Sequence, residues 1–416
     1  MNTFQIIALL IVFAGAFGAV NHLFLRLPSA IGILVVAFLA SLGALGLDAI
    51  QPQLGVADAA RALITEIEFS ETLLGWMLGL LLFAGALHVR VEDLKAQGWI
   101  IALMATLGIA LSTAVVGVGF SWITGMPLLA ALVFGALISP TDPVAVLGVL
   151  KEAKLPKALE TKIAGESLFN DGVGYVVFLV LVGLAFPSPS NHAADSFGEI
   201  ALFFVQEAGG GAALGAILGW LVFQVMKRVD DYPLEVLLSL GLAFGGYELA
   251  IALHVSGPIM AVVAGLFIGD VGVKHAMNEE TRQYLDAFWK LVDEMLNAIL
   301  FLLIGVEIFV VTFSGDFLLA GIASIALALV ARFAAVFVPV LLLRPFQHYS
   351  KGVVPIMTWG GLKGGISVAL ALSLPDSEWK PLILAATYIV VLFSIIVQGL
   401  TIAPLAKRLG REPEML

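Results

Sequence analysis

The sequence predicts an all-α polytopic membrane protein of about thirteen transmembrane helices. Three observations lead there. Apolar residues make up 60% of the chain and charged residues 12%, with a mean hydropathy of +1.05, well outside the mix of a soluble globular domain. Apolar runs of about 20 residues, the length that crosses a hydrocarbon core, recur from one end of the 416-residue chain to the other. No polar block between them is large enough for a soluble domain, so the chain reads as one membrane unit.

Runs bounded by Pro, Gly and charge place spans at 4–24, 28–47, 71–89, 98–122, 128–150, 163–186, 197–226, 234–254, 257–270, 286–312, 315–343, 353–374 and 381–405. The first lacks the basic lead-in and small-residue cleavage site of a signal peptide and is kept as a span. The ninth is short, and the tenth carries Asp293, Glu294 and Glu307. Charge tests the count. With the N-terminus outside, the inner loops hold Arg26, Arg90, Lys95, Lys151, Lys154, Lys157, Lys162, Lys227, Arg228, Lys274, Arg282, Lys290, Arg344, Lys351, Lys407, Arg408 and Arg411. The outer loops hold only Arg61 and Lys380. That asymmetry follows the positive-inside rule and puts the C-terminus in the cytoplasm of a cell whose inner membrane houses the chain.

Cysteine is absent, so disulfides and thiolate metal sites are excluded. Acidic residues outnumber basic ones, 31 to 21, and no basic cluster with interleaved aromatics argues for nucleic acid. The pattern favours a cation as partner. The acidic outer stretch DAIQPQLGVADAARALITEIEFSET reads as a solvated loop. His22, His88, His192, His254, His275 and His348 fall mostly at span ends or in loops; of these, His275 and His348 lie on the cytoplasmic side, where pH could act on them. Trp99, Trp122, Trp220, Trp289 and Trp379 read as interfacial or packing residues.

Ionisable groups inside a span are costly and by default line a protected path or pair with each other. Here they gather in SPTDP at 139–143, GESLFND at 165–171, Arg332 in LALVARFAAVF, and GGLKGG at 360–365. SPTDP sets two prolines around Thr141 and Asp142 inside an apolar run, which should break the helix. A plain proline kink is the simpler reading, but a kink needs neither the threonine nor the carboxylate. GGLKGG loosens a second span around Lys363 with four glycines. Two interrupted spans in separate halves point to inverted repeats with discontinuous helices crossing near the midplane. Close helix packing through small residues is the alternative for the glycines.

Ser167, Asn170 and Asp171 stand at i, i+3 and i+4 and so share one helix face. With Thr141 they make a partial oxygen cage suited to a hard monovalent cation, and the Asp171 carboxylate could take a proton in its place. Glu166 needs a counter-charge, either Arg332 or Lys363; sequence spacing alone leaves both open.

SPTDPVAV, GESLFNDGVG, a lone arginine and GGLKGGISVALALSLP, in that order along nearly the whole chain, resemble the monovalent cation/proton antiporters of the NhaP-like branch, related to the NHE sodium/proton exchangers. The resemblance implies a homodimer. Each protomer would hold a core domain, approximately 98–186 and 315–405, with two crossed discontinuous helices, and a dimerisation domain, approximately 1–97 and 187–314. It implies that Asp171 binds cation and proton in turn, that Thr141 and Ser167 help ligate the cation, and that Glu166 and Arg332 pair across helices. Asp142 would support the crossing. Asn170 in place of a second aspartate fits relatives that exchange one cation for one proton. Two residues depart from the pattern: Lys363 stands where arginine is commoner, and Ala84 where many relatives carry an acid.

These readings imply an antiporter rather than an enzyme, with no cofactor beyond the transported Na+ or Li+ and H+, working in a lipid bilayer by alternating access. K+ or a polyamine is the alternative cargo. A channel would need an open pore, and an intramembrane hydrolase would need a motif such as HExxH, GxSxG or GxGD, none of which occurs. No phosphate-binding glycine loop followed by Lys-Ser/Thr is present either.

Overall fold

The structure is a computed structural model and describes residues 3–67, 77–142, 157–187, 197–311, 314–347, 349 and 352–409. Its described residues are helical, in the order α1 (Gln5–Leu25), α2 (Ser29–Ile50), α3 (Val56–Ile67), α4 (Leu78–Leu87), α5 (Val91–Ala96), α6 (Gly98–Thr124), α7 (Leu128–Ile138) and α8 (Lys157–Ala185). There follow α9 (Phe197–Met226), α10 (Tyr232–Ala252), α11 (Gly257–His275), α12 (Glu279–Val306), α13 (Gly315–Leu343), α14 (Val353–Trp359), α15 (Gly365–Leu372) and α16 (Lys380–Leu409).

Local chemistry sets several starts. Asp231, Ser256, Asn278 and Ser314 each stand just before a helix and accept a hydrogen bond from the backbone N–H three residues on, capping α10, α11, α12 and α13. Among the described residues nine helices are long and apolar enough to cross a membrane, with α4 and α7 as shorter apolar helices. The described helices therefore do not establish the expected count of thirteen, for physical reasons. The run at 353–374 is broken into α14 and α15. The run at 286–312 belongs to α12, whose first half is charged. The runs at 71–89 and 128–150 extend into residues outside those described.

The bilayer explains an otherwise odd surface. Leu23, Phe24, Leu202, Leu319 and many other large apolar side chains are exposed, as lipid-facing residues are. Trp99 and Trp122 are exposed at opposite ends of α6, a belt placement. Trp289 is fully buried and donates to the Ser239 hydroxyl at 2.9 Å, so it is a packing residue.

Packing gathers α6, α7, α8, α13, α15 and α16 around one another, and α2, α4, α9, α10, α11 and α12 around one another. The two sets meet where α8 lies on α9 and α11 and where α12 lies on α15. The polar motifs of the sequence all fall within the first set. How α7 and α14–α15 break is what positions them.

Candidate ion-exchange site

α7 ends at Ile138, and Ser139, Pro140, Thr141 and Asp142 leave the helix; Pro143 and the rest of that motif lie outside the described residues. α14 ends at Trp359, and Gly360–Gly364 run unwound before α15 resumes. The two unwound segments touch. The Asp142 N–H donates to the Leu362 carbonyl at 2.8 Å, and the Lys363 ammonium donates to the Ser139 and Pro140 carbonyls at 2.8 and 3.1 Å.

Each charge at the crossing stands at the helix end that favours it. Lys363 caps the C-terminal end of α7, where unpaired carbonyls carry partial negative charge. The Asp142 carboxylate lies against Gly364 at the N-terminal end of α15, where the partial charge is positive, and a Cβ on Gly364 would collide with it. Lys363 and Thr141 are 3% and 1% exposed. Broken backbone is tolerated here because it is enclosed in protein and groups such as the Asp142 and Lys363 N–H find partners.

α8 supplies the other wall. The Asn170 side chain brackets Thr141, accepting from the Thr141 N–H at 3.3 Å and donating to its hydroxyl at 2.9 Å. The Thr141 and Ser167 hydroxyls are 3.0 Å apart. Asn170 therefore braces the unwound segment beside the Thr141–Ser167 hydroxyl pair, and Asp171 stands one helical turn after Ser167 on the same face of α8. Asp171 is 4% exposed and takes no hydrogen bond among the described residues; the charges that act on it are Asp142 and Lys363.

Glu166, the residue before Ser167, pairs with Arg332 rather than Lys363. Both guanidinium nitrogens Nη1 and Nη2 reach its carboxylate, Nη2 at 2.8 Å, and Nε donates to the Met357 carbonyl at 3.1 Å. This two-pronged geometry is available to arginine and not to lysine. It ties α8 to α13 and to the end of α14. Gly361 is seated against the guanidinium, where a Cβ would overlap Nε and Cζ.

No cluster of three or more His, Cys, Asp or Glu side chains suited to a metal occurs among the described residues. Carboxylate and hydroxyl oxygens, the donors offered by Asp171, Ser167 and Thr141, are the kind a hard monovalent cation takes. His275 is exposed beside the Val271 carbonyl, whereas His192 and His348 lie outside the described residues. The sequence reading passed over Ser394 and Gln398 in the last span. They lie four apart in VVLFSIIVQGL, so a polar pair on one face of an apolar span was the available signal.

Over residues 7–408 the chain matches the family model for the transmembrane part of sodium/hydrogen exchangers. It is 48% identical over 402 residues to the Na(+)/H(+) antiporter NhaP of Pseudomonas aeruginosa, covering 94% of this chain and 93% of that one. It is 36% identical over 388 residues to the Na(+)/H(+) antiporter NhaH of Halobacillus dabanensis, covering 93% of each. The fold is similar to that of the sodium proton antiporter MjNhaP1 of Methanocaldococcus jannaschii, with a TM-score of 0.77 at 20% identity over 99% of this chain and all of the other. The resemblance read from the motifs is thus shown, and with it a multi-pass membrane transporter rather than an enzyme: the chain belongs to the transmembrane sodium/hydrogen exchanger family.

Proposed function

We propose that this protein exchanges a monovalent cation, Na+ or Li+, for H+ across the cell's inner membrane. Asp171 alternately binds cation and proton, one for one, with Thr141 and Ser167 as further cation ligands. The observation that carries the reading is a buried carboxylate, without a hydrogen-bond donor among the described residues, on the same face of α8 as Ser167, whose hydroxyl meets that of Thr141 where two unwound segments touch. Such a carboxylate is costly to move through a low-dielectric barrier when bare. A cation or a proton cancels its charge. If the core crosses only with Asp171 occupied, cation movement one way and proton movement the other are coupled without ATP.

The moving body in this proposal is the core domain at 98–186 and 315–405. The stationary body is the dimerisation domain at 1–97 and 187–314, in a homodimer with its N-termini outside and C-termini in the cytoplasm. The distribution of basic residues supports that orientation. Lys363 and Asp142 hold the crossing together, and the Glu166–Arg332 pair fixes α8 against α13, so that Asp171 is left to exchange.

The test is proton movement in proteoliposomes under an imposed pH gradient, with membrane potential clamped to zero, adding sodium, lithium, potassium or a polyamine in turn. Sodium or lithium should dissipate the gradient with saturation, and Asp171→Asn should abolish the response. A response to potassium or polyamine alone would reassign the cargo. Non-saturating flux would point to a channel, and no cation-dependent signal from folded protein would overturn exchange altogether.

A further inference from the structure

We infer that Ser394 and Gln398, on the π-helical turn of α16, are positioning residues for the exchange. They hold the unwound segment Gly360–Gly364, and through it the Lys363 ammonium that grips the segment 139–142 carrying Thr141. The inference rests on the reading of Asp171 as the exchanging carboxylate and names residues outside its ligand set.

A break in a membrane helix leaves N–H and C=O groups without their usual ladder partners, and each must find another. Two of those at 359–364 are met by side chains of α16. The Ser394 hydroxyl accepts from the Lys363 N–H at 2.9 Å, and the Gln398 amide donates to the Trp359 carbonyl at 2.9 Å. Both side chains are buried, 0% and 4% exposed. The unwound segment is therefore gripped at both ends by one turn of one helix.

That turn, Ser394–Gln398, is itself irregular, a π-helical turn inside α16. A π turn adds one residue to the helical ladder and rotates the remainder of the helix by about 100°, one residue's share of a turn. The register in which α16 presents these side chains to the broken segment depends on that extra residue. The same face borders a small cavity lined by Arg332, Gly361, Lys363, Phe393 and Gln398. The segment is thus clamped at two points beside a space not filled by side chains.

Ser394 acts on Lys363 at its backbone, and the ammonium of the same residue donates to the Ser139 and Pro140 carbonyls. The charged groups around Lys363 and Asp171 are Asp142 from the end of α7, Glu166 from α8 and Arg332 from α13. The Asp142 N–H donates to the Leu362 carbonyl and the Lys363 ammonium to those of Ser139 and Pro140, so the clamp also fixes the unwound segment that carries Thr141. A cation needs the Thr141 oxygen as a ligand and a proton does not. Loosening the clamp displaces that oxygen, and the proton then competes better with the cation.

The experiment measures sodium-dependent proton flux in proteoliposomes across pH for wild type, Ser394→Ala, Ser394→Thr and Asp171→Asn, with melting temperature in detergent followed in parallel. The expected result for Ser394→Ala is a several-fold rise in apparent KM for sodium and a shift of the flux profile to higher pH. Ser394→Thr, which keeps the hydroxyl, should restore both. A Ser394→Ala protein that melts earlier but keeps the wild-type KM and pH profile would overturn the inference and leave Ser394 as a backbone plug. If Ser394→Ala does not fold, Gln398→Met is judged by the same two readouts. Should wild type show no cation-dependent flux, or Asp171→Asn retain it, the exchange reading itself fails first.

Discussion

Glu166 and Arg332 meet with 1% and 6% of their side chains exposed. A second run of charges, Asp270–Lys274–Glu92–Arg90–Asp93–Lys157, links α11 through α5 to the start of α8 with side chains 14% to 63% exposed. Its distances are as short, 2.6 Å for Lys274 to Asp270, 2.7 Å for Lys274 to Glu92 and 2.8 Å for Lys157 to Asp93. Distance alone would rank the two alike. Their surroundings separate them: the buried pair has no water to fall back on if one partner goes, whereas each member of the exposed run does.

The largest effect should therefore come from breaking the buried pair on one side only. Arg332→Met leaves the Glu166 carboxylate buried and uncompensated, at a cost of about 3–5 kcal/mol. Unfolding in detergent, followed by tryptophan fluorescence, measures it. Removing the remaining charge with Glu166→Gln in the same chain should recover most of that loss. Equal stability of the single and double variants would show that packing, not charge, holds α8 to α13.

Next in size is Gly361→Ala. Its new methyl would meet Cδ, Nε and Cζ of Arg332, which the ion pair with Glu166 holds in place, and forcing an atom into a filled space costs about 1–3 kcal/mol. The sharper form repeats it in an Arg332→Met background, where the more flexible thioether can yield. A penalty unchanged between the two backgrounds would place the strain in the backbone of 360–364 instead.

The same contrast shows what the sequence could and could not reveal. Intramembrane charge is conspicuous in an apolar chain, so Asp142, Glu166, Asp171, Arg332 and Lys363 stood out, Thr141 stood out between the prolines beside Asp142, and period and polarity sufficed to put Ser167, Asn170 and Asp171 on one face. The helical class was legible for the same reason. The partner of Glu166 was not, because Arg332 and Lys363 are both single cations in other spans, and only the three-dimensional course of α13 and α14 distinguishes them. Nor was the π turn of α16, whose extra residue changes hydrogen-bond register without changing composition. Spacing put Asn170 on the ligand face, but that both ends of its amide meet Thr141 across the gap between helices was not legible either.

The smallest effect belongs to the exposed run, and its dependence on solution conditions is what makes it informative. Hydrogen bonds from Lys274 first, and then from Arg90, hold the Glu92 carboxyl below the usual carboxylate range. A carboxyl whose folded-state value is depressed favours the folded protein at every pH above its unfolded-state value, and that contribution is lost as pH falls through the folded-state value. The contribution is thus fully present at neutral pH and disappears only in acid; alkali does not touch it. Glu92→Gln should lower the melting temperature slightly at neutral pH and low salt. The difference from wild type should vanish in acid and also at high ionic strength, where exposed charges about 10 Å apart no longer sense each other. A difference that survives both treatments would mean that Glu92 acts by packing α5 onto α11, and the two regions would then be alike in mechanism after all.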